Sequence, residues 1–327
     1  MKKLTRVVLF VLFAAVLVIS SLLFYIKVFL PNVGEPEEIK VAAWPQRLAR
    51  GEYLATAVNV CVDCHSTRDW TKFSGPLVPG TTGKGGEVFD QSFGFPGKFY
   101  SRNITPAAIG DWTDGELIRA ITCGVSKNGK ALFPVMPHPN YGKMDKEDIL
   151  SLVAYIRSLA PIANEVPASE PDFPMNFIIN TIPVKAEFSA KPDTSKMLEY
   201  GRYLFNAAAC NECHTKQEKG KKILELELAG GFEFPLPKFG KVYSSNITPD
   251  RETGIGTWSE STFVDRFKSF SPQNYVPTEV HEGQLQAIMP WTMYARMTEH
   301  DLRCLYTYLR SVKPIKNEVT KFVSKDQ

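Results

Sequence analysis

A long apolar run stands near the start of the chain. Val7 to Ile26 contains no charged residue, and a helix of that length spans about 30 Å, the thickness of a bilayer's hydrocarbon core. Lys2, Lys3 and Arg6 precede the run, so the positive-inside rule places the N-terminus in the cytoplasm. Bulky residues follow it where a signal peptide would have small ones. We therefore predict a retained, single-pass membrane anchor over 1–30, with a cleaved signal peptide as the alternative.

The apolar pattern in the rest of the chain has helical spacing. Apolar side chains recur three and four residues apart, as on one buried helix face, at Ile149, Leu152, Val153, Ile156 and Leu159. Short helices are also expected over 114–121 and 260–270, whereas 73–97 is rich in glycine and proline and is predicted to be loop, with a short hairpin inside it as the alternative. The chain shows no extended alternation of apolar and polar positions, so the predicted fold class is all-α with long loops.

The chain contains an internal repeat. The segment "RGEYLATAVNVCVDCH" over 50–65 parallels "YGRYLFNAAACNECH" over 200–214. "YSRNITP" at 100–106 likewise parallels "YSSNITP" at 243–249. Two further pairs follow in the same order, one beginning "IGDW" and "IGTW", the other "VMPH" and "IMPW". Four blocks in one order, twice over, indicate two copies of one domain.

The repeat suggests the domain boundaries. We place the first domain at 45–160 and the second at 195–320. The linker between them, 161–194, contains six prolines, which stiffen a chain and cannot donate a ladder hydrogen bond. A spacer over 31–44 follows the anchor, and 321–327 forms a tail.

Composition indicates a globular protein and excludes nucleic acid as a partner. The chain is 44% hydrophobic and 22% charged, which is usual for a folded protein. Its net charge is only +3, and it has no block of lysine and arginine of the kind that binds nucleic acid.

The chain has six cysteines and five histidines, and one motif takes most of the cysteines. Cys-x-x-Cys-His occurs once in each copy, at Cys61, Cys64 and His65 and at Cys210, Cys213 and His214. This is the attachment signature of c-type haem. Its two thiols form thioethers with the porphyrin, and its histidine ligates the iron. We therefore predict two covalently attached haems c.

Two other interpretations of the motif fit the sequence less well. A zinc site shared by the two cysteine pairs would leave both adjacent histidines unexplained. A redox Cys-x-x-Cys pair would follow a strand in a βαβ unit, and no such pattern precedes either motif.

Each copy offers two methionines as the second iron ligand, Met136 and Met144 in the first and Met289 and Met297 in the second. Met144 and Met297 precede N-capping residues, where they complete a hydrophobic staple at the start of a helix. Met136 and Met289 lie in loops directly before a proline and have no such role. We predict that these two are the axial ligands, with a loop-core position as the alternative.

The remaining histidines and cysteines carry weaker predictions. His138, flanked by prolines, is expected at the surface, as are His281 and His300. Cys123 and Cys304 lie outside the haem motifs. They are expected to be buried free thiols, although a disulfide between them stays open.

With these residues in hand, the chain resembles a membrane-anchored dihaem cytochrome c. Each repeat is similar to the class I cytochrome c domains in the cytochrome subunits of bacterial membrane-bound alcohol and gluconate dehydrogenases. The similar blocks are "CVDCH"/"CNECH", "NITP", "GDWTDGELIRAI", "GVSKNGKALFPVMPHPNY" and the closing "YIRSL"/"YLRSV" helix, within 51–319. The resemblance implies two tandem class I cytochrome c-like domains with His65/Met136 and His214/Met289 as iron ligands. Those subunits usually carry three haem domains, whereas this chain has two.

The expected function is that of a respiratory-chain electron carrier without catalytic residues. The anchor and the motifs together predict haem domains facing the periplasm of a bacterial inner membrane. The expected donor is a dehydrogenase or a quinol-oxidising complex, and the expected acceptor is a protein such as a terminal oxidase. A dihaem peroxidase-like enzyme and a fixed electron-transfer subunit of a larger respiratory complex are the alternatives.

Overall fold

The N-terminal segment is one long helix. The structure, a computed structural model, describes residues 2–326, so Met1 and Gln327, the ends of the predicted anchor and tail, lie outside it. Helix α1 covers Lys2–Val28 and is long and apolar enough to cross a membrane, and its apolar window is not buried against the rest of the protein. A helix that is apolar on all sides needs a protein or lipid environment, and the apolar window of α1 is not enclosed by protein.

Residues 45–160 fold mainly as helices joined by long loops. The helices are α2 (Pro45–Tyr53), which continues into a π-helical turn at Leu54–Val58, α3 (Cys61–Cys64), α4 (Pro106–Ile109), α5 (Asp114–Cys123), α6 (His138–Tyr141) and α7 (Lys146–Ser158). The strands in this part are β1 (Val88–Phe89) and β2 (Gly97–Tyr100).

The remaining residues contribute the other elements. Residues 161–194 hold β3 (Glu170–Pro171) and α8 (Met175–Ile178), which runs into a 3₁₀ turn at Ile179–Thr181. The helices that follow are α9 (Met197–Ala207), α10 (Cys210–His214), α11 (Glu260–Lys268), α12 (Trp291–Tyr294) and α13 (Glu299–Ser311). The later strands are β4 (Gln217–Glu218), β5 (Lys221–Lys222), β6 (Glu233–Leu236), β7 (Gly240–Tyr243) and β8 (Phe322–Ser324).

The strands correct the prediction of an all-α fold. They form three small antiparallel sheets, in the orders β1-β2-β3, β4-β5 and β6-β7-β8. In two of the sheets the outer strand comes from a segment predicted to be linker or tail: β3 pairs with β2, and β8 pairs with β7. Strands of two to four residues are too short to show the alternation by which a strand is recognised in a sequence. The sequence therefore suggested only the short hairpin in 73–97, where β1 and the start of β2 lie.

Helix caps confirm the predicted starts of the last helix in each copy. The Asp145 side chain accepts a hydrogen bond from the backbone N–H of Glu147 at the start of α7. Thr298 accepts one from the N–H of Asp301 at the start of α13. Each cap satisfies a backbone donor that the helix leaves free.

Each copy is built around one close helix crossing, between α2 and α7 in the first and between α9 and α13 in the second. A Cβ atom on Gly51 would lie 1.9 Å from the carbonyl oxygen of Ser151, and one on Gly201 would lie 1.9 Å from that of Cys304. Only glycine allows backbones to approach this closely. The repeated glycine therefore sets the spacing of the same helix pair twice.

The two copies share a core and exchange reciprocal hydrogen bonds. The Tyr53 hydroxyl donates to Asp301 at 2.6 Å, and the Tyr203 hydroxyl donates to Asp148 at 2.6 Å. Burial alone would raise the pKa of Asp148, but the hydrogen bonds and charge of Arg50 outweigh it and hold that pKa below its ordinary value. Apolar residues of both copies form one continuous buried cluster, so the two copies pack as one unit.

Candidate haem sites

The two Cys-x-x-Cys-His motifs have the same backbone geometry. Val60, directly before α3, has φ 47°, and Ala209, directly before α10, has φ 51°. This left-handed conformation is unfavourable for residues with a Cβ, most of all for a β-branched one. Such strain is held only where the surrounding structure demands it, and it clusters at functional sites. Both copies hold it at the residue before the first motif cysteine.

The motif histidines are oriented by backbone carbonyls. His65 Nδ1 lies 2.6 Å from the carbonyl oxygen of Arg102, and His214 Nδ1 lies 2.8 Å from that of Ser245. A carbonyl only accepts, so Nδ1 carries the proton and Nε2 keeps its lone pair for a metal. Burial lowers the pKa of both imidazoles, which favours the neutral form that ligates iron.

The repeated "NITP" blocks position those carbonyls. The Asn103 side-chain oxygen accepts hydrogen bonds from the N–H and hydroxyl of Thr105, and its amide donates to the Ile162 carbonyl. Asn246 makes the same bonds to Thr248 and to a carbonyl after α13. The blocks therefore fix the turn that holds each histidine. In the sequence they stood out only as a repeated segment, without an indication of this role.

The loop methionines lie in matching tight turns. The backbone N–H of His138 donates to the Met136 carbonyl at 2.7 Å, and that of Trp291 donates to the Met289 carbonyl at 2.8 Å. The proline at the centre of each turn has the dihedral angles of an inverse γ-turn. Both methionines are half-buried and pack against the core. The two copies therefore present a methionine from the same turn.

The other two methionines are structural, as their predicted staple role requires. Met144 and Met297 have no exposed surface. The Asn59 amide donates to Met144 Sδ at 3.2 Å, so that sulfur already has a partner.

A second methionine-loop feature, not anticipated from the sequence, is a tyrosine five residues further on. The Tyr141 hydroxyl donates to the Asn59 carbonyl, and the Tyr294 hydroxyl donates to the Ala208 carbonyl, each at 3.1 Å. These carbonyls stand two residues before the first motif cysteine. Each tyrosine therefore ties the methionine loop to the motif turn of its own copy.

One large cavity adjoins both motifs. Its volume is about 1950 Å³, roughly twice the upper end for a usual small-molecule pocket of about 1,000 Å³. Of the predicted site residues, those that line it are Cys61, Cys64, His65, Met136 and Cys213. Cys210, His214 and Met289 are not in its lining, although the cavity does contact Ile288 and Pro290 beside Met289. A cavity bordered by thiols and by a histidine with a free Nε2 fits haem c.

The cysteine environment fits attachment better than metal or redox chemistry. Burial raises the pKa of Cys61 and Cys64 to about 12, whereas reactive thiols have a lowered pKa. Within residues 2–326 no three His, Cys, Asp or Glu side chains come together as a metal cluster. The two cysteine pairs therefore do not meet as a shared zinc site requires.

The charges around the two sites differ. Beside the first motif, Asp63 and Arg68 form an ion pair at 2.5 Å, and each side chain is only 5% exposed. The Arg68 guanidinium also stacks over the Trp70 ring, at 3.9 Å from its centroid. The corresponding pair in the second copy, Glu212 and Lys222 at 2.6 Å, is much more exposed. Buried charges are screened less than exposed ones, so the two sites have different electrostatic surroundings.

Two predictions about single residues are settled by burial. His138 is fully buried, not at the surface as predicted, and its ring lies against Gly124. Cys123 and Cys304 are both buried free thiols, so the expected state is confirmed and no disulfide joins them. The environment of His138 comes from residues distant in the sequence, which its flanking prolines could not indicate.

Comparison with known proteins finds relatives over most of the chain, although no protein-family model matches it. The gluconate 2-dehydrogenase cytochrome c subunit of Pantoea cypripedii is 28% identical over 85% of this chain and 62% of its own length. The cytochrome c subunit of the quinone alcohol dehydrogenase of Gluconacetobacter polyoxogenes is 28% identical over 81% of this chain and 56% of its own. A "Diheme cytochrome c-type" protein of Cereibacter sphaeroides is 27% identical, with coverages of 82% and 86%.

The chain therefore spans only about 55–62% of the gluconate and alcohol dehydrogenase cytochrome subunits that it matches, but most of the dihaem cytochrome. All three relatives named above are described as cytochromes c, which supports haem c binding. The resemblance predicted from the motifs is confirmed: the chain is similar over most of its length to dehydrogenase cytochrome c subunits and to a dihaem cytochrome c.

Proposed function

We propose that the chain is a membrane-anchored dihaem cytochrome c that carries electrons on the periplasmic side of a bacterial inner membrane. The observation that carries this proposal is the duplication of a whole ligand arrangement. Each copy combines a histidine whose Nδ1 is held by a carbonyl with a methionine in a proline-centred turn. A protein that needed only one reactive haem would not require the second arrangement.

The residues in each site have separate roles. Cys61 and Cys64, and likewise Cys210 and Cys213, hold a haem covalently. His65 and Met136 ligate the iron in the first copy, and His214 and Met289 do so in the second. All four proposed residues of the first copy border one cavity, which supports this assignment.

A bound haem supplies one-electron exchange between ferrous and ferric iron, and histidine–methionine ligation raises its potential. The chain's own task is to orient and enclose the ligands. The Arg102 and Ser245 carbonyls fix the imidazole protons, and Met136 and Met289 pack against the core. No side chain needs to act as an acid, a base or a nucleophile.

Transfer between the two sites takes place within one chain. Residues of both motifs border the same cavity, and the copies share a core and the reciprocal tyrosine bonds. This rigid packing favours a fixed distance between the two redox centres.

The anchor and the relatives support a membrane location and redox partners. Helix α1 has the length and apolarity of a membrane span, and the basic residues before it favour a cytoplasmic N-terminus. The donor is a dehydrogenase or a quinol-oxidising complex, and the acceptor is a protein such as a terminal oxidase. Because several relatives are named as dehydrogenase subunits, a permanent place in a larger respiratory complex is the second candidate.

Haem content tests the proposal. We expect a pyridine haemochrome assay on denatured protein, washed with acid acetone to remove unattached haem, to give two haems per chain. The variants Cys61→Ala/Cys64→Ala and Cys210→Ala/Cys213→Ala should each retain one. A value of one for the unsubstituted protein would mean that one motif is vacant and would contradict the dihaem assignment.

A further inference from the structure

Residues 172–182, which we call the strut, form an apolar segment inside the predicted linker. The strut contains α8 and the 3₁₀ turn that follows it. Two of its apolar side chains face away from the protein, because Phe173 is 79% exposed and Ile178 is 44% exposed. Exposed apolar side chains that lie together often mark an interaction surface.

One side of the strut contacts the end of the anchor helix. Lys27 Nζ donates a hydrogen bond to the Asn176 carbonyl at 2.7 Å and lies 4.7 Å from the centroid of the Phe177 ring. Both α8 and the turn after it pack against α1. The strut is therefore held at the point where the anchor leaves the membrane.

The other side of the strut is fixed to the first domain. Strand β3, directly before the strut, pairs with β2. The Asp172 N–H donates to the Pro96 carbonyl at 3.0 Å, and the Gln91 amide donates to the Asp172 carboxylate at 2.8 Å. The strut thus joins the anchor to the first domain through defined contacts at both ends.

The surroundings of the strut have the composition of a membrane–water interface. Phe24, Tyr25 and Phe29 are more than half exposed at the same end of α1, and aromatic residues are enriched at that depth of a bilayer. A lysine at the end of a span extends its ammonium group towards the headgroups. Phe173 packs edge-on against Phe177, which Lys27 contacts, so the exposed ring continues this aromatic group.

We propose that the strut is a second membrane contact, with Phe173 and Ile178 inserted in the outer-leaflet interface of the lipid bilayer. This inference rests on the membrane anchor of the proposed function. Since Phe29, Leu30 and Ile179 also line the large cavity, the contact turns that side of the cavity towards the membrane. The first domain is then held in one orientation at the lipid surface rather than on a flexible tether.

Photolabelling in vesicles tests this contact. The haem-loaded full chain is reconstituted in phosphatidylcholine vesicles that contain a phospholipid with a diazirine near its headgroup, and lipid adducts are located by mass spectrometry. We expect adducts on α1 and on the peptide that carries 172–182. The control is Leu224, which is 72% exposed in the second domain and should acquire none.

A matched variant separates the strut from the anchor. Phe173→Asp/Ile178→Asp should reduce adducts on 172–182 several-fold and leave those on α1 unchanged. Adducts on α1 without adducts on 172–182 in the unsubstituted chain would overturn the inference alone. An α1 without adducts would overturn the proposed anchor and the inference with it.

Discussion

At the residue scale, burial separates the two kinds of methionine. Met144 and Met297 are enclosed by the core, and Met144 Sδ accepts a hydrogen bond from Asn59. Met136 and Met289 are half-buried in tight turns. A thioether serves as a ligand only where its sulfur is not already committed to packing or to another donor.

Replacement of the two loop methionines, Met136 and Met289, should change the haem spectra, whereas replacement of a fully buried methionine should not. We expect Met136→Ala to remove one haem's share of the sulfur-to-iron charge-transfer band of the ferric protein and to lower that haem's potential, because a ligand that favours ferrous iron is lost. Met289→Ala should do the same to the other haem. Absorption spectra and redox titration measure both effects.

The matched control is Met144→Ala. Its band should persist, while the free energy of unfolding falls by about 2–5 kcal/mol, as for other fully buried methionines. Loss of the band in Met144→Ala, with the band intact in Met136→Ala, would reverse the assignment.

Single residues differ in how far the sequence could predict them. The haem-binding roles proposed for the motif cysteines and histidines rest on contiguous spacing alone. The partner of His65 was not predictable from the sequence, since the Arg102 carbonyl stands 37 residues away. The burial of His138 likewise depends on a contact with Gly124 that only the folded chain creates.

At the element scale, the two close helix crossings determine how the helices of each copy pack. The last helix of each copy and the caps that begin α7 and α13 were predictable because their signals are local. Apart from the short hairpin in 73–97, the strands were not, because each has only two to four residues. The partners of β3 and β8 also lie far away along the chain, and sheet pairing over such distances is decided by tertiary contacts.

The glycine of the first crossing should not tolerate a side chain. Gly51→Ala would place a Cβ 1.9 Å from the Ser151 carbonyl oxygen, so α2 and α7 must separate. We expect the free energy of unfolding to fall by about 1–3 kcal/mol or more, as in other overpacked cores, in chemical denaturation. The control is Glu52→Ala on the exposed side of α2, which should change it by less than about 0.5 kcal/mol. Equal effects of the two changes would contradict the close crossing.

At the scale of the whole molecule, the two domains are joined by two reciprocal tyrosine–aspartate hydrogen bonds. The two aspartates differ in their other side-chain partners. Asp148 accepts from Tyr203 and also from Arg50. The Asp301 carboxylate accepts from Tyr53 and has no salt bridge among residues 2–326. After removal of its tyrosine hydroxyl, the Asp148 carboxylate therefore keeps a charged partner, whereas the Asp301 carboxylate does not.

Tyr53→Phe should cost more stability than Tyr203→Phe. A hydrogen bond to a charged group contributes about 1.5–3 kcal/mol, and Asp301 would keep no other side-chain partner of opposite charge. Asp148 would keep its pairing with Arg50, so the second variant should lose less. Urea denaturation of both variants measures the difference, and equal losses or a reversed order would contradict this prediction.

The most direct test of the central claim is the spin state of the iron in the unsubstituted ferric protein. Electron paramagnetic resonance with integrated spin counting should find two low-spin haems per chain, because the proposed ligand pairs His65/Met136 and His214/Met289 would leave neither iron with an open position. A high-spin haem, accompanied by turnover of hydrogen peroxide at that iron, would contradict the electron carrier and favour a peroxidase-like enzyme.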